Sequence, residues 1–246
     1  MKQNPTAAMV LAAGLGTRLR PLTETCPKPL IEVAGVPMVF RIIKTLTDAG
    51  LKKIVINTHH FAERMETEIL GAQRKGMFGD AEIVFSREAE LLETGGGLKA
   101  ALPLLQNETV LVVNSDAIWD DTKTPLIVPL MEAWAHQPEH VQALLAVVPT
   151  GRTQAFQPQG DFLLEEGGTL NRDGERATFG HIYAGVHITQ VEKIAAFGMS
   201  KFSLNLIWEA MRAEHGLRGF VYDAPWCEMG TLAGLERACM LLETTP

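Results

Sequence analysis

A glycine turn with basic residues behind it is the first feature of this sequence that could do chemistry. Gly14 and Gly16 follow an apolar run, and Arg18, Arg20 and Lys28 come shortly after them. Glycines allow backbone N–H groups to approach an anion closely, and nearby cations offset its charge. The pattern predicts an anion-binding loop, with a tight turn and solvated arginines as the alternative.

A carboxylate in a favourable place is the second such feature. Asp116 lies just past the strongly β-branched segment 109–114. Open α/β sheets bind their ligands beyond the carboxyl ends of their strands, so Asp116 is a candidate ligand-binding residue. A capping role for the segment that follows is the alternative.

Two common nucleotide-binding motifs do not fit the glycine turn. The dinucleotide fingerprint requires a small residue where Leu19 stands, and its second strand should end in an acid where Asn57 stands. The mononucleotide P-loop is also absent, because the glycines before Lys99 have the wrong spacing and no hydroxyl follows the lysine. These mismatches disfavour a nicotinamide-dependent oxidoreductase.

The elements that must position these residues alternate through the first 150 residues. Apolar runs and helical periodicity predict strands over residues 7–12, 53–57, 82–85, 109–114 and 141–148, and helices over 38–49, 61–70, 97–105 and 126–134. The helix over 97–105 is expected to follow a triple-glycine loop. Such alternation is typical of a mostly parallel sheet with helices on both faces.

The pattern changes in the second part of the chain. It predicts a hairpin around Gly167 and Gly168, strands over 179–187 and 218–222, and helices over 191–197, 204–214 and 232–242. We expect an α/β fold with a single Rossmann-like, mostly parallel sheet and a small mixed α+β subregion. The whole chain, 1–246, forms one domain in this interpretation, with halves at 1–148 and 149–246.

Composition excludes several classes of function. A formal net charge of −7 disfavours nucleic-acid binding, which depends mainly on phosphate neutralisation. No apolar run reaches the roughly 18 residues of a membrane span, and the N-terminus has no secretory pattern. The three cysteines are an odd number at irregular spacing, which indicates reduced thiols and a cytoplasmic location. We expect a monomer or a small homo-oligomer.

Several separate stretches of the chain form a recognisable series. In chain order they are Leu11-Ala-Ala-Gly-Leu-Gly-Thr-Arg-Leu-Arg-Pro-Leu-Thr23, Pro27-Lys-Pro-Leu30, Leu92-Glu-Thr-Gly-Gly-Gly97, Val113-Asn-Ser-Asp116 and Trp226-Cys-Glu-Met-Gly-Thr231. This series resembles the sugar-1-phosphate nucleotidyltransferases, whose fold is similar to that of GT-A enzymes. The resemblance implies condensation of a nucleoside triphosphate with a sugar 1-phosphate, giving a nucleotide sugar and pyrophosphate, with Mg²⁺ as cofactor.

The resemblance also implies roles on the nucleotide side. Arg18 and Lys28 would be catalytic, with Lys28 between the two substrates and stabilising charge at the α-phosphate. Residues from two segments would bind the nucleotide: Leu11, Ala12, Ala13, Gly14, Gly16, Thr17, Glu93, Gly95 and Gly96.

On the sugar side, the resemblance implies that Asn114, Gly185 and Lys201 bind the sugar phosphate and that Asp116 and Glu228 bind the metal. A solvated lysine is the alternative for Lys201. The family usually carries Asp where this chain has Glu228, which is longer by one methylene. Two further candidates for the sugar pocket are Thr178 and Trp226, with core packing as the alternative for Trp226.

The choice of substrates rests on a finer resemblance. Residues 92–97 and 101–105 are most similar to the members that use UTP and N-acetylmuramate 1-phosphate in cell-wall recycling. A mannose-1-phosphate guanylyltransferase and a glucose-1-phosphate thymidylyltransferase are the alternatives within the family. A non-catalytic sensor of a nucleotide sugar is the alternative outside enzyme function, because Glu228 departs from the usual metal ligand.

Overall fold

The apolar segment near the N-terminus forms an inner strand of a large sheet. The computed structural model describes residues 1–152, 160–172 and 180–243. Within these ranges the strands are β1 Ala7–Leu11, β2 Glu32–Val33, β3 Val36–Pro37, β4 Lys53–Thr58, β5 Glu82–Arg87, β6 Thr109–Asn114, β7 Ala117–Trp119, β8 Ala143–Pro149, β9 Leu163–Leu164, β10 Leu170–Asn171, β11 His181–Gln190, β12 Leu217–Val221 and β13 Trp226–Glu228. The α-helices are α1 Met38–Asp48, α2 Ala62–Arg74, α3 Glu93–Leu105, α4 Ile127–Ala135, α5 Glu192–Ala196, α6 Leu204–Ala213 and α7 Leu232–Glu243.

The large sheet has the order β12-β8-β11-β6-β1-β4-β5 within the described residues. Strand β1 is parallel to both of its neighbours, β4 and β6, and β5 and β12 are each parallel to the strand beside them. Strand β11 is antiparallel to both of its neighbours, β6 and β8. The prediction of a mostly parallel, Rossmann-like sheet is therefore confirmed. Strands from residues 1–148 and from 149–246 share this one sheet.

Strand β1 is apolar along its whole length because a hydrophobic core lies on each face of the sheet. Ala8 and Val10 pack in one core with α1, α2 and α4. Ala7, Met9 and Leu11 point to the opposite face and pack in the other core with α3, α5 and α6. A strand buried on both faces is expected to show a continuous apolar run.

A third, smaller core supports the basic loop. Leu19, Cys227 and Ala238 are fully buried there, beside the β2–β3 hairpin, β13 and α7. Leu19, the residue too large for the dinucleotide fingerprint, therefore anchors the loop that carries Arg18. Burial raises the pKa of the Cys227 thiol to about 12, which agrees with a packing role for this cysteine.

Most predicted elements are present within a few residues of their expected bounds, but α3 is a correction. It begins at Glu93, so the expected triple-glycine loop is helical instead. The N–H groups of Gly95 and Gly96 donate to the Phe202 carbonyl oxygen at 2.9 and 3.0 Å. The first N–H groups of a helix lack partners inside it, and this outside carbonyl satisfies two of them.

The short β7–β13 pair was not predicted, since three-residue strands carry little periodicity. Among the described residues, no helix is both long and apolar enough to cross a bilayer.

Candidate active site

A cleft lies at the carboxyl ends of β1, β4 and β6, where the strands that follow β1 in the sequence are placed on opposite sides of it, β4 on one side and β6 on the other. Ligands of open α/β sheets bind at this kind of switch point. The cleft has a volume of about 310 Å³, and we call it the nucleotide cavity after the ligand that the sequence resemblance implies. Its walls are formed by Leu11, Ala13, Gly14, Lys28, Pro29, Asn57, Glu88, Leu91, Glu93, Thr94, Asn114, Ser115 and Asp116.

The loop after β1 folds tightly around Lys28. Gly16 has a positive φ of 61°, and a Cβ atom there would lie 2.9 Å from both Lys28 Cβ and Thr23 Cγ2. The Gly16 carbonyl oxygen accepts a hydrogen bond from Thr23 Oγ1 at 2.9 Å. Glycine is thus required at residue 16, because the backbone angle and the close approach both exclude a larger residue. The neighbouring Thr17 is exposed.

Lys28 and Asp116 form an ion pair across the cleft. Lys28 Nζ lies 2.5 Å from Asp116 Oδ2, and the two side chains are only 11% and 22% exposed. A charge pair with little solvent around it interacts more strongly than one at the surface. The pair therefore fixes the lysine ammonium at the point where β6 ends.

Arg18 and Glu228 form a second, more exposed ion pair. Arg18 Nη2 lies 3.4 Å from Glu228 Oε1, with the side chains 61% and 42% exposed. Glu228 reaches this place because β13 pairs with β7, which sets Glu228 opposite Ala117, next to Asp116. Burial and, secondarily, the Asp116 charge raise the pKa of Glu228.

A second cavity adjoins the first, and we call it the sugar cavity after the second substrate that the sequence resemblance implies. It has a volume of about 200 Å³ and shares Asn114 and Asp116 with the nucleotide cavity. The rest of its walls come from Ala117, Asp161, Ile182, Tyr183, Gly185, Trp226 and Glu228. The two cavities therefore meet at Asp116.

Gly185 interrupts β11 where the register to β8 shifts. Its φ is 78°, and a Cβ atom there would lie 2.9 Å from Ala117 Cβ and 3.3 Å from Asn114 Cβ. Trp226 is buried, and its indole N–H donates to the Ala184 carbonyl oxygen at 2.9 Å. Trp226 both packs in the core and lines the sugar cavity, so the two roles that the sequence left open coexist.

Asp116 and Glu228 provide a donor pair that suits a magnesium ion. The effect of Asp116 on the pKa of Glu228 means that the two carboxylates repel each other, and a cation between them would relieve this. Within the described ranges, no group of three or more His, Cys, Asp or Glu side chains is arranged to hold a metal. Magnesium commonly uses one or two carboxylates and takes its other ligands from phosphates and water. The residues present fit that mode.

Several predicted residues lie away from both cavities. Gly95 and Gly96 are buried against the 200–202 segment, where a Cβ atom on either would lie within 2.4 Å of Phe202 or Ser200 atoms. Lys201 is exposed and belongs to neither cavity wall in the described structure. Thr178 lies outside the described residues.

Several wall residues had no place in the sequence-based site, and three of them carry an amide or a carboxylate. Asn57 and Glu88 line the nucleotide cavity, and Asp161 lines the sugar cavity. A sequence signal existed for the first two, because polar residues at the end of a strand or just after it reach the carboxyl edge of the sheet. For Asp161 there was none, because its position depends on pairing between 161–162 and β11.

Comparison with known proteins agrees with this geometry. The family model described as "Nucleotidyl transferase" matches residues 7–156. The N-acetylmuramate alpha-1-phosphate uridylyltransferase of Caulobacter vibrioides is 37% identical over 94% of this chain and 94% of its own length. The enzyme of the same description from Neisseria meningitidis serogroup B is 34% identical over 94% of this chain and 96% of its own.

The fold also matches a solved structure. The crystal structure of HddC from Yersinia pseudotuberculosis complexed with GMP-PN aligns with a TM-score of 0.74 and 22% identity. The alignment covers 96% of this chain and 99% of the other. The two proteins therefore share the fold.

Proposed function

This chain belongs to the nucleotidyl transferase family, and from that premise we propose that it condenses a nucleoside triphosphate with a sugar 1-phosphate. The products are a nucleotide sugar and pyrophosphate. The observation that carries the proposal is the junction of two cavities at Asn114 and Asp116, with Lys28 on the nucleotide side. Two substrates that each fill one cavity would bring their reacting phosphates together at this junction.

The reaction sets a specific electrostatic problem for the protein. An oxygen of the sugar phosphate attacks the α-phosphorus, the new P–O bond forms, and pyrophosphate leaves with the electrons of the bond that breaks. The attacking oxygen is already ionised, so no strong general base is required. Alignment and neutralisation of two polyanions must then supply the rate enhancement.

Lys28 is the group best suited to neutralise charge at the reacting phosphorus. Its ammonium is held at the cavity junction by Asp116 and is mostly shielded from water, which strengthens its field. Arg18 is more exposed, pairs with Glu228 of the sugar-cavity wall, and would bind the outer phosphates. Backbone at Leu11, Ala13 and Gly14 would hold the nucleoside against the wall.

We propose Mg²⁺ as the cofactor, held by Asp116 and Glu228. When bound, it would neutralise phosphate charge that the two basic side chains leave uncompensated. In the structure each of these carboxylates is paired with one of the two basic side chains. Phosphates that bind Lys28 and Arg18 would break these two ion pairs and leave the carboxylates without a cation. Mg²⁺ would supply that cation, so the metal and the nucleotide should each increase the affinity for the other.

For the substrates we propose UTP and N-acetylmuramate 1-phosphate, in cell-wall recycling. The support comes from the two uridylyltransferase relatives, which align over both halves of the chain and therefore over both cavities. The three free thiols support a cytoplasmic setting for the reaction.

A screen of pyrophosphate release tests the proposal. Four nucleoside triphosphates are combined with N-acetylmuramate 1-phosphate, mannose 1-phosphate and glucose 1-phosphate in the presence of Mg²⁺. We expect the highest kcat/KM with UTP and N-acetylmuramate 1-phosphate. Turnover with only GTP and mannose 1-phosphate would contradict the proposed substrates and support the proposed type of reaction. If no pair of substrates releases pyrophosphate, the proposed enzymatic activity is contradicted and a non-catalytic sensor of a nucleotide sugar is favoured.

A further inference from the structure

A buried amide in the wall of the nucleotide cavity connects two of the segments that line it. Asn57 is the last residue but one of β4, and its Oδ1 accepts the Ala12 N–H at 2.6 Å. Its Nδ2 donates to Glu88 Oε1 at 2.7 Å. Asn57 is 3% exposed and Glu88 is 7% exposed, so solvent competes little for these groups. Both polar atoms of the Asn57 amide are thus engaged inside the protein.

Glu88 extends the connection to the start of α3. Its second carboxylate oxygen, Oε2, accepts the Leu92 N–H at 3.0 Å, one residue before the helix begins. A continuous series of hydrogen bonds therefore runs from Ala12 through Asn57 and Glu88 to Leu92. Buried hydrogen bonds with a charged acceptor are stronger than neutral ones, and breaking one leaves a costly unpaired group.

Gly97 leaves the space that this connection needs. A Cβ atom at residue 97 would lie 2.6 Å from Glu88 Oε1 and 2.7 Å from Asn57 Nδ2. A methyl group would therefore push into the hydrogen bond between these two atoms. The helix accepts an unfavourable interior glycine here, as expected where a close approach excludes a side chain.

We infer that Asn57 is a positioning residue for nucleotide binding, acting through Ala12 and Glu88. It holds the loop at residues 11–14 at a fixed distance from the start of α3, and residues of both segments line the nucleotide cavity. This inference rests on the proposed function, because it assumes that the cavity takes the nucleoside triphosphate. No wall of the sugar cavity except Asn114 and Asp116 is shared with the nucleotide cavity, so the effect should be confined to nucleotide binding.

Exchanging the hydrogen-bond donor and acceptor between residues 57 and 88 tests this role. Asn57→Asp keeps the acceptor for the Ala12 N–H but turns the donor toward Glu88 into a second carboxylate. Glu88→Gln alone keeps one oxygen for two donors. In the double variant, the glutamine N–H donates to the new carboxylate, and its oxygen still accepts the Leu92 N–H. The double variant therefore restores every hydrogen bond, and a double-mutant cycle isolates their coupling.

The measurements are calorimetric Kd for the triphosphate that gives turnover, KM for the sugar 1-phosphate at saturating nucleotide, and Tm. We expect Asn57→Asp to weaken nucleotide affinity about tenfold or more, and the double variant to return within about threefold of wild type. The KM for the sugar 1-phosphate should change less than about twofold. Gly97→Ala should weaken nucleotide affinity, whereas the matched helical control Gly71→Ala, with open space around its Cβ, should not.

The outcomes separate this inference from the function it rests on. Variants with unchanged nucleotide affinity, or with a lower Tm only, would overturn the positioning role while the enzyme remains a nucleotidyltransferase. Failure of the double variant to recover affinity in folded protein would also overturn it. Wild-type protein without turnover for any triphosphate would remove the proposed function and this inference with it.

Discussion

The two cavities that meet at Asp116 are built in different ways. The nucleotide cavity lies on the ends of neighbouring parallel strands, β1, β4 and β6, and on the loops that directly follow them. The sugar cavity depends on an irregular strand, β11, and on the pairing of β13 with β7, about a hundred residues away in the chain. The first follows from local sequence and a common sheet topology, and the second from long-range contacts.

This difference has a chemical consequence. Parallel strand ends and a glycine loop suit the binding of a phosphate chain, which is the role that the proposed function gives the nucleotide cavity. Irregular elements such as the Gly185 bulge can vary without disturbing the parallel sheet, and this suits the part that selects the sugar. Substitutions should therefore separate into those that impair the shared chemistry and those that affect only one substrate.

The largest effect is expected at the junction of the cavities. Lys28→Ala should lower kcat about 10²- to 10³-fold, because it removes a shielded cation from the reacting phosphates. Steady-state kinetics with a Tm measurement tests this. Lys44→Ala is the matched control, since Lys44 is an exposed lysine that also pairs with an aspartate. Unchanged turnover in folded Lys28→Ala protein would remove Lys28 from the mechanism.

A smaller loss of turnover, about 10- to 100-fold, is expected for Asp116→Asn. The substitution also frees Lys28 and removes a negative charge beside the phosphates, so nucleotide affinity without Mg²⁺ should rise. The gain in affinity that Mg²⁺ gives wild type should largely disappear. Calorimetry with and without Mg²⁺ measures both, with Asp48→Asn as a surface control. An unaltered magnesium titration would argue against Asp116 as a ligand.

A change confined to the sugar side is expected for Gly185→Ala. Its positive φ and the 2.9 Å approach to Ala117 Cβ force a shift in the cavity wall. We expect KM for the sugar 1-phosphate to rise about tenfold, with Kd for the nucleotide within about twofold. Gly198→Ala, which meets no atom within 4 Å, is the control. Equal losses for both substrates would show that the two cavities are not independent.

The last prediction concerns stability rather than turnover, at residues that support the sugar cavity. The Tyr183 hydroxyl lies 2.7 Å from His187 Nδ1, and complete burial lowers the pKa of His187 to about 3. In the unfolded chain the imidazole of His187 has a pKa near 6.5. Below that pH the unfolded chain binds a proton that the folded protein does not bind, so the free energy of unfolding falls as the pH falls from 6.5 toward 3.

Between pH 7 and pH 5, His187 should therefore reduce the free energy of unfolding by about 2 kcal/mol. His187→Gln, which keeps a polar partner for Tyr183, should remove this part of the pH dependence. Urea unfolding of both proteins at the two pH values measures it. Identical pH dependence would mean that His187 is not neutral and buried in solution.

Much of the fold could be predicted from sequence because its elements have strong local signals. The run that forms β1 is apolar throughout, and α1 has a clear buried stripe that ends before Gly50, whose φ is 90°. The start of α3 could not be predicted, since glycines at a helix start are stabilised there by a carbonyl of residue 202.

The candidate site divides in the same way. The loop with Gly14, Gly16 and Lys28 was visible as a local pattern, and Asp116 as the residue after a strand. The closeness of Glu228 to Asp116 depends on a three-residue pairing that no periodicity reveals. The connection through Asn57 and Glu88 depends on β4 and β5 ending side by side, which only the folded sheet establishes.

The most direct test of the central claim is a crystal structure with a non-hydrolysable nucleoside triphosphate analogue and Mg²⁺. The account predicts the α-phosphate within hydrogen-bond distance of Lys28 Nζ and the outer phosphates beside Arg18. It also predicts the metal on Asp116 and Glu228, with both present ion pairs broken. A phosphate chain bound elsewhere, with Lys28 still paired to Asp116, would contradict it.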